Sequence, residues 1–176
     1  MKLFLIGYMG AGKTTLGKPL AQKLGIPFID MDAVLEASEG KTITELFEIL
    51  GEPGFREKER DALQKSAFPD SFVMSTGGGA PCFFNNMDWM NRTGITMYLR
   101  AHPGEIARRL ENQREERPLL REIQKEELET VIARRIAGRE QFYLQAQLVM
   151  EHNDLTVEHL LEALRNHSSS PADRKA

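Results

Sequence analysis

The sequence predicts an α/β protein in which helices cover both faces of a parallel sheet of about five strands, giving three layers (α/β/α). Buried strands are typically short apolar runs of four or five residues, and the chain has such runs at 3–6, 26–29, 72–75, 95–99 and 147–150. Segments with helical spacing separate them. Strands that alternate with helices form parallel sheets, because each crossover helix packs back on the sheet.

The helices are indicated by apolar residues that recur every three or four positions. These positions are Leu16, Leu20 and Leu24, then Leu46 and Leu50, then Leu128, Ile132, Ile136 and Tyr143. Pro19 lies inside the first helix, where it leaves the carbonyl of Thr15 without its usual donor. We therefore expect a kink or a bound water there.

Composition favours one ordinary domain. The chain has 176 residues, and 23 Lys plus Arg against 26 Asp plus Glu leave a net charge of -3. Such a chain buries about two thirds of its unfolded surface, and the lone Cys82 cannot form an internal disulfide. We expect a cytoplasmic monomer with one domain over 1–165, a disordered tail at 166–176, and neither a membrane nor a nucleic-acid partner.

A phosphate-binding motif directly follows the first predicted strand. Residues 7–15 read Gly-Tyr-Met-Gly-Ala-Gly-Lys-Thr-Thr, which fits G-x-x-x-x-G-K-[ST] between a strand and a helix. The glycines let backbone N–H groups turn toward a phosphate, and the helix adds the positive end of its dipole. Lys13 is placed to neutralise the β and γ phosphates, and Thr14 to coordinate Mg²⁺. The motif predicts a nucleoside triphosphate site.

Two carboxylates follow the second strand. Residues 28–32 read Phe-Ile-Asp-Met-Asp, so Asp30 and Asp32 reach the carboxyl edge of the sheet, where ligands bind. Asp30 is the candidate for holding Mg²⁺ through water, and Asp32 for contacting an acceptor hydroxyl as a hydrogen-bond partner or general base. The alternative is that one of them only caps the next helix, predicted over 33–38.

Three consecutive glycines follow the third strand. The glycines at 77–79 present backbone N–H groups with no side chain in front, so a substrate could approach closely. A flexible loop explains the composition equally well. The acidic residue that often ends this strand in phosphate-loop proteins is replaced by Ser75 and Thr76, which favours Asp30 as the metal carboxylate.

Two arginines are candidates for binding an anion. Arg139 shares the inward stripe of a predicted helix with Ile136 and Tyr143, and an arginine there needs an anionic partner. Spacing alone slightly favours a carboxylate of the protein over one of a substrate. Arg56 lies in a charged segment, 54–60, where an ordinary solvated helix face accounts for it equally well.

A highly charged segment lies between two helices. Seven of the twelve residues from 111 to 122 are charged, so this segment cannot pack into a core. We expect a mobile lid over about 111–123 that closes over the triphosphate and excludes water. Arg117 is the first candidate for a lid contact, followed by Arg114 and Arg109, and a solvated loop is the alternative.

Together these motifs resemble the shikimate kinase family over residues 1–165. The matching pieces are Gly-Tyr-Met-Gly-Ala-Gly-Lys-Thr-Thr at 7–15, Phe-Ile-Asp-Met-Asp at 28–32, Gly-Glu-Pro-Gly-Phe-Arg at 51–56, Ser-Thr-Gly-Gly-Gly-Ala at 75–80, Arg-Pro-Leu-Leu at 117–120, and Arg139 with Tyr143. The resemblance implies a P-loop kinase fold similar to that of nucleoside monophosphate kinases. It also implies transfer of the γ-phosphoryl group of ATP to the 3-hydroxyl of shikimate, on the route to chorismate and the aromatic amino acids.

The resemblance assigns expected roles to single residues. Shikimate would contact Asp32, Arg56, Gly77, Gly78, Gly79 and Arg139, with the two arginines sharing its carboxylate. ATP would contact Gly10, Ala11, Gly12, Lys13, Thr14, Thr15, Arg109 and Arg117. Mg²⁺ would be held by Thr14 and Asp30, and catalysis would depend on Lys13, Asp32 and Arg117. Residues 33–60 would form the shikimate-binding segment.

Two other activities remain open. Another small-molecule kinase of this fold, such as a gluconate or nucleoside monophosphate kinase, would use the same phosphate loop. A nucleotide acceptor, however, would leave the paired aspartates and the three glycines without a clear role. A binding or switch module without an acceptor is the third possibility, although the Asn-Lys-x-Asp motif of GTPases is missing from the sequence.

Overall fold

The structure, a computed structural model, describes residues 1–111, 123–124, 127–151 and 154–169. At its centre is one sheet with the strands β1 (Lys2–Ile6), β2 (Phe28–Asp30), β3 (Phe72–Ser75), β4 (Ile95–Arg100) and β5 (Leu148–Glu151). All neighbouring strands are parallel, in the order β2-β3-β1-β4-β5. The predicted sheet is confirmed, and each strand lies within two residues of its predicted bounds.

Seven α-helices in the described part of the chain surround this sheet. They are α1 (Lys13–Leu24), α2 (Met31–Glu39), α3 (Ile43–Lys65), α4 (Asn86–Thr93), α5 (Pro103–Leu110), α6 (Leu128–Tyr143) and α7 (Val157–Ser169), with a short 3-10 turn at Ala80–Cys82. Local chemistry sets their ends: α3, for example, begins with a reciprocal capping box between Thr42 and Glu45. Among the described residues, no helix has both the length and the apolar character needed to cross a bilayer.

The helices form two layers because the strands are apolar on both faces. Leu3 and Leu5 pack on one face, and Phe4 and Ile6 pack on the other, since successive side chains of a strand point to opposite sides. All four are completely buried. The first face is covered mainly by α1, α5, α6 and α7, and the second by α2, α3 and α4. The predicted three-layer α/β/α fold is therefore confirmed.

Proline and glycine affect helices α1 and α3 differently. Helix α1 runs from Lys13 to Leu24 and continues through Pro19. Helix α3 is interrupted at Gly51, whose φ of 64° and ψ of 176° are not helical. The helix restarts at once, with Pro53 near the start of its second half, a position that proline favours. The predicted helix at Leu46 and Leu50 is thus the first part of a longer, broken helix.

The carboxyl-terminal helix is longer than expected. The prediction of a disordered tail is wrong for residues 166–169, because α7 continues to Ser169. The hydroxyls of Ser168 and Ser169 donate to the carbonyls of Leu164 and Arg165, at 3.0 and 2.8 Å. Both serines thus lie inside the helix, with their hydroxyls bonded to carbonyls four residues earlier. Residues 170–176 lie outside the described part of the chain.

The topology brings the predicted motifs to one edge of the sheet. The phosphate loop, residues 7–12, follows the central strand β1. Its neighbour β3 leads into the glycine segment 77–79, and β2, beside β3, ends at Asp30. Because all the strands are parallel, their carboxyl ends lie at the same edge.

Candidate active site

A cleft of about 910 Å³ opens at this edge of the sheet. Of the residues predicted to form the site, it is lined by Gly10, Gly12, Lys13, Thr14, Thr15, Asp30, Asp32, Arg56, Gly77, Gly78, Gly79, Arg109 and Arg139. The side chain of Ala11 packs into the core instead, and its N–H donates to the carbonyl of Tyr8 at 3.1 Å. Arg117, Arg114 and most of the predicted lid, 111–123, lie outside the described residues.

The phosphate loop is shaped by its glycines and by one lysine. Gly10 and Gly12 have positive φ values of 78° and 88°, which side chains with a Cβ rarely adopt. Gly12 precedes α1 and has no side chain that could cap the helix. The N–H groups of the first turn of α1 are therefore available to an anion. The ammonium of Lys13 donates to the carbonyls of Gly7 and Tyr8, at 2.8 and 3.0 Å. These bonds hold the loop around the lysine.

Oxygen atoms from the ends of two strands and from the first turn of α1 meet beside the loop. The hydroxyl of Thr14 donates to Oδ2 of Asp30 at 3.2 Å and lies 3.4 Å from the hydroxyl of Ser75. Asp30 also caps α2, because its Oδ1 accepts from the N–H of Asp32 at 3.2 Å. The capping role that the sequence left open thus belongs to Asp30, and Asp32 lies in the first turn of α2.

The oxygen set near Thr14 fits a cation that is only partly held by protein. Among the described residues, no three His, Cys, Asp or Glu side chains cluster in a way that could hold a metal ion. Mg²⁺ usually keeps several waters and binds proteins through one or two carboxylates together with substrate phosphates. One carboxylate and two hydroxyls next to a phosphate loop are compatible with that kind of binding.

Arg56, from the second half of α3, is buried at the other end of the cleft. Its guanidinium pairs with Glu59 at 2.8 Å and with Glu52 at 3.0 Å. Three aromatic rings enclose it, with centroids 4.6 to 5.6 Å from Cζ; they belong to Phe47, Phe55 and Phe83. Arg56 is therefore not a charge on a solvated helix face.

Glu59 is a site residue that the sequence analysis missed. It lines the cleft and is only 2% exposed. Its carboxylate pairs with Arg56 and lies so close to Gly77 that a Cβ there would overlap it. Burial raises the pKa of its carboxyl, while the neighbouring Arg56 opposes that shift. The sequence does hold a signal for it, since Arg56 and Glu59 are three residues apart and so share one helix face.

The three glycines pack closely against three different groups. A Cβ on Gly77 would overlap the carboxylate of Glu59, and one on Gly79 would overlap the guanidinium of Arg56. A Cβ on Gly78 would lie 2.9 Å from the backbone nitrogen of Met9 in the phosphate loop. The hydroxyl of Tyr143 donates to the carbonyl of Gly78 at 2.5 Å. The segment is held by close contacts on both sides, which disfavours the flexible-loop interpretation.

Arg139 and Arg109 reach the cleft from α6 and α5. Arg139 lies over the ring of Tyr8, with its Cζ 5.4 Å from the centroid. Within the described residues it forms no salt bridge, so the protein carboxylate that the spacing favoured is not found there. Arg109 donates to the carbonyl of Gly10 at 3.0 Å and pairs with Glu105, which places it beside the phosphate loop.

Comparison with known proteins agrees with this geometry. The family model described as shikimate kinase matches residues 9–167. The chain belongs to the shikimate kinase family. A shikimate kinase of Bacteroides thetaiotaomicron is 48% identical over 155 residues, which cover 88% of this chain and 89% of that protein. A shikimate kinase of Parabacteroides distasonis is 43% identical over 157 residues, covering 89% and 91%.

Solved shikimate kinase structures have the same fold. The crystal structure from Bacteroides thetaiotaomicron superposes with a TM-score of 0.85 at 44% identity, covering 97% of this chain and 99% of that one. The enzyme from Acinetobacter baumannii, solved in complex with shikimate, gives 0.83 at 31% identity, covering 99% and 95%. The predicted family and the kinase class are thereby confirmed, which favours shikimate over a gluconate or nucleotide acceptor and over a switch module.

Proposed function

We propose that this chain transfers the γ-phosphoryl group of ATP to the 3-hydroxyl of shikimate, giving shikimate 3-phosphate and ADP. The observation that carries the proposal is the shared cleft: the phosphate loop and Arg56 both pack against the glycine segment 77–79, and Arg139 lines the same cleft. A phosphate donor and a carboxylate-bearing alcohol would therefore meet within one cavity of about 910 Å³.

On the acceptor side, Arg56 and Arg139 bind the shikimate carboxylate. A guanidinium carries five N–H donors, so Arg56 keeps donors for a substrate after pairing with Glu59 and Glu52. The burial of Arg56 among aromatic rings strengthens its attraction for an anion, because the surrounding dielectric is low. Asp32 contacts the attacking hydroxyl, and the backbone of Gly77 to Gly79 lets the sugar-like ring of the acceptor approach closely.

On the donor side, the N–H groups of Gly10 to Gly12 and of the first turn of α1 surround the phosphates of ATP. Lys13 exchanges its loop carbonyls for phosphate oxygens and offsets charge on the transferring group. Thr14 and Asp30 hold Mg²⁺, which when bound neutralises phosphate charge. Thr15 and Arg109 add contacts to the nucleotide, and Arg117 of the predicted lid is assigned the remaining contact to the γ-phosphoryl group.

Phosphoryl transfer needs little covalent chemistry from a protein. Its barrier falls mainly through in-line placement of the two substrates and through neutralisation of charge. Arg56, Arg139 and the glycines at 77–79 would hold the acceptor in place. Lys13 would neutralise part of the charge on the transferring phosphoryl group. Asp32 either removes the hydroxyl proton or orients the hydroxyl toward the γ-phosphorus. The lone cysteine is typical of a reducing compartment, so the enzyme is assigned to the cytoplasm, and it is expected to act as a monomer.

An ADP-release assay tests the reaction. The enzyme with MgATP is supplied in turn with shikimate, quinate, gluconate, AMP or water, and a parallel series contains EDTA. We expect turnover with shikimate that is far above the water blank and is lost with EDTA. Turnover with gluconate or AMP but not shikimate would overturn the acceptor assignment and keep the donor half. Turnover that EDTA leaves intact would overturn the metal assignment.

A further inference from the structure

Tyr8 lies in the phosphate loop, but its side chain contacts Arg139, which we assign to binding of the acceptor. It is the second residue of the phosphate loop, and its carbonyl accepts from Lys13. Its ring, however, lies under the guanidinium of Arg139, whose Cζ is 5.4 Å from the ring centroid. The side chain is only 2% exposed and packs in the same core cluster as Ile136, one turn before Arg139 on α6.

The ring of Tyr8, not its hydroxyl, makes this contact. The hydroxyl is buried and has no hydrogen-bond partner among the residues that the structure describes. A buried hydroxyl without a partner lowers stability, so the polar atom brings no local benefit at this position. What the side chain provides is a large, rigid aromatic face inside the core.

In the part of the chain that the structure describes, Arg139 has few other contacts that could fix its guanidinium. Arg56 is held by two carboxylates and three aromatic rings. Arg139 forms no salt bridge within the described residues, and its polar neighbour on the same helix is Tyr143. A long, flexible side chain that must bind a carboxylate in two-point fashion loses much rotamer freedom when it does so.

An aromatic face can orient an arginine without consuming its donors. A cation over a ring is attracted by the negative face of the ring, and the effect is larger at a desolvated site. This contact takes up none of the five N–H donors of the guanidinium, so they stay available for a carboxylate. Tyr8 can therefore hold Arg139, which lines the cleft, without consuming its donors.

We propose that Tyr8 is a positioning residue for the acceptor, which acts through Arg139 to set the affinity for the shikimate carboxylate. The proposal rests on the carboxylate-binding role given to Arg139 above. It makes one residue of the phosphate loop a determinant of acceptor binding. Removal of the ring is expected to weaken shikimate binding and to leave ATP binding nearly unchanged.

Four variants test the proposal in steady-state kinetics with both substrates varied: Tyr8→Phe, Tyr8→Leu, Arg139→Ala and the double variant Tyr8→Leu/Arg139→Ala. We expect Tyr8→Leu to raise the KM for shikimate about tenfold and to change the KM for ATP and kcat less than about twofold. Tyr8→Phe keeps the ring and is expected to retain the original KM for shikimate. In the Arg139→Ala background, the Tyr8→Leu change is expected to add no further increase.

Tyr8→Met, which keeps most of the side-chain volume without a ring, is measured alongside Tyr8→Leu, and thermal unfolding checks each variant. If Tyr8→Leu does not fold, Tyr8→Met carries the same expected result. Equal increases in both KM values, or an undiminished effect in the Arg139→Ala background, would overturn the proposal. If Arg139→Ala itself leaves the KM for shikimate unchanged, the assigned role of Arg139 fails first, and the role of Tyr8 fails with it.

Discussion

Most of the nucleotide half of the cleft comes from one continuous segment, residues 7–15, to which Asp30 and Arg109 are added, whereas the acceptor half is assembled from four segments that are far apart in the chain. The first half acts largely through backbone N–H groups and one lysine. The second half depends on side chains from α2, α3 and α6 and on the glycines at 77–79. Two of these side chains, Arg56 and Glu59, are buried and already paired with each other.

This difference predicts that substitutions in the two halves affect activity and stability differently. A side chain of the nucleotide half can be removed without leaving a buried charge unpaired, so its loss should affect turnover more than stability. In the acceptor half, the same ion pair orders the site and supports the packing of α3. A change there should therefore affect acceptor binding, stability or both, depending on whether a buried partner is left behind.

The largest expected effect is at the centre of the nucleotide half. Lys13→Ala is expected to lower kcat by about 10²–10³-fold, because it removes a charge that offsets developing charge on the phosphoryl group. The fold should persist. ADP release and thermal unfolding measure the two effects, and Lys18→Ala, an exposed lysine on the same helix, is the control. Near-normal turnover of Lys13→Ala would remove the distinction between the two halves.

The next test compares the two arginines within the acceptor half. Arg56→Ala leaves Glu59 buried without its cation, so we expect the free energy of unfolding to fall by about 3–5 kcal/mol. Arg139→Ala leaves no such charge among the described residues. It should raise the KM for shikimate about 10- to 100-fold with little loss of stability. Urea unfolding and steady-state kinetics check this, and equal stability losses would contradict it.

A pair of glycine substitutions sharpens the comparison further. The backbone of Gly79, with φ −92° and ψ −22°, suits alanine, so only the overlap with Arg56 opposes Gly79→Ala. We expect this variant to lose about 1–3 kcal/mol of stability and to bind shikimate more weakly. Gly138, in α6, has no atom within 4 Å of a built Cβ, and Gly138→Ala should gain about 0.5–1 kcal/mol. Thermal unfolding of both variants tests whether the stability lost at Gly79 comes from the overlap with Arg56 or from replacing a glycine as such.

The smallest expected effect is the pH dependence of stability that Glu59 contributes. Burial raises the pKa of this carboxyl above its usual 4.5, so the folded state binds the proton more tightly than the unfolded state. Its contribution to stability therefore falls as the pH rises from about 4.5 through the raised pKa, by at most about 1.4 kcal/mol per pH unit for one proton. The difference in unfolding free energy between the original chain and Glu59→Gln isolates this slope.

Glu45 provides a control of opposite sign for that measurement. Its hydrogen bonds with Thr42 lower the pKa of its carboxyl, so its contribution is lost as the pH falls. Glu45→Gln should remove a slope that runs in the other direction. If the contribution of Glu59 to the free energy of unfolding instead fell toward low pH, the attraction of Arg56 would outweigh the effect of burial. Glu59 would then stabilise the fold in the same way as Glu45 does.

The sequence predicted the nucleotide half more completely than the acceptor half, for a physical reason. The strand, the glycines and Lys13 are neighbours in the chain, so a local pattern carries nearly all of their geometry. The partners of Arg56 depend on how α3 packs. A bare charge pattern could not distinguish a solvated face from an aromatic enclosure, and it left Glu59 unnoticed.

The break in α3 escaped prediction, and the cap of α2 was left open between two aspartates, for related reasons. A glycine two residues before a proline can end a helix or interrupt one, and only the packing of both halves decides between these outcomes. The choice of Asp30 over Asp32 as cap depends on where β2 ends, and a shift of two residues exchanges their roles. The family resemblance did connect Arg56 with Arg139, which spacing alone did not.

Asp30 joins two tasks in one side chain, since it starts α2 and also accepts a hydrogen bond from Thr14. In genetic terms, the position is pleiotropic: a loss-of-function allele there would affect both the start of α2 and the oxygens that we propose to hold Mg²⁺. Asp30→Ala would remove the cap of α2 and the acceptor for Thr14 together, so their effects could not be distinguished. Asparagine caps helices about as well as aspartate and lacks its charge, so Asp30→Asn is the allele that separates them.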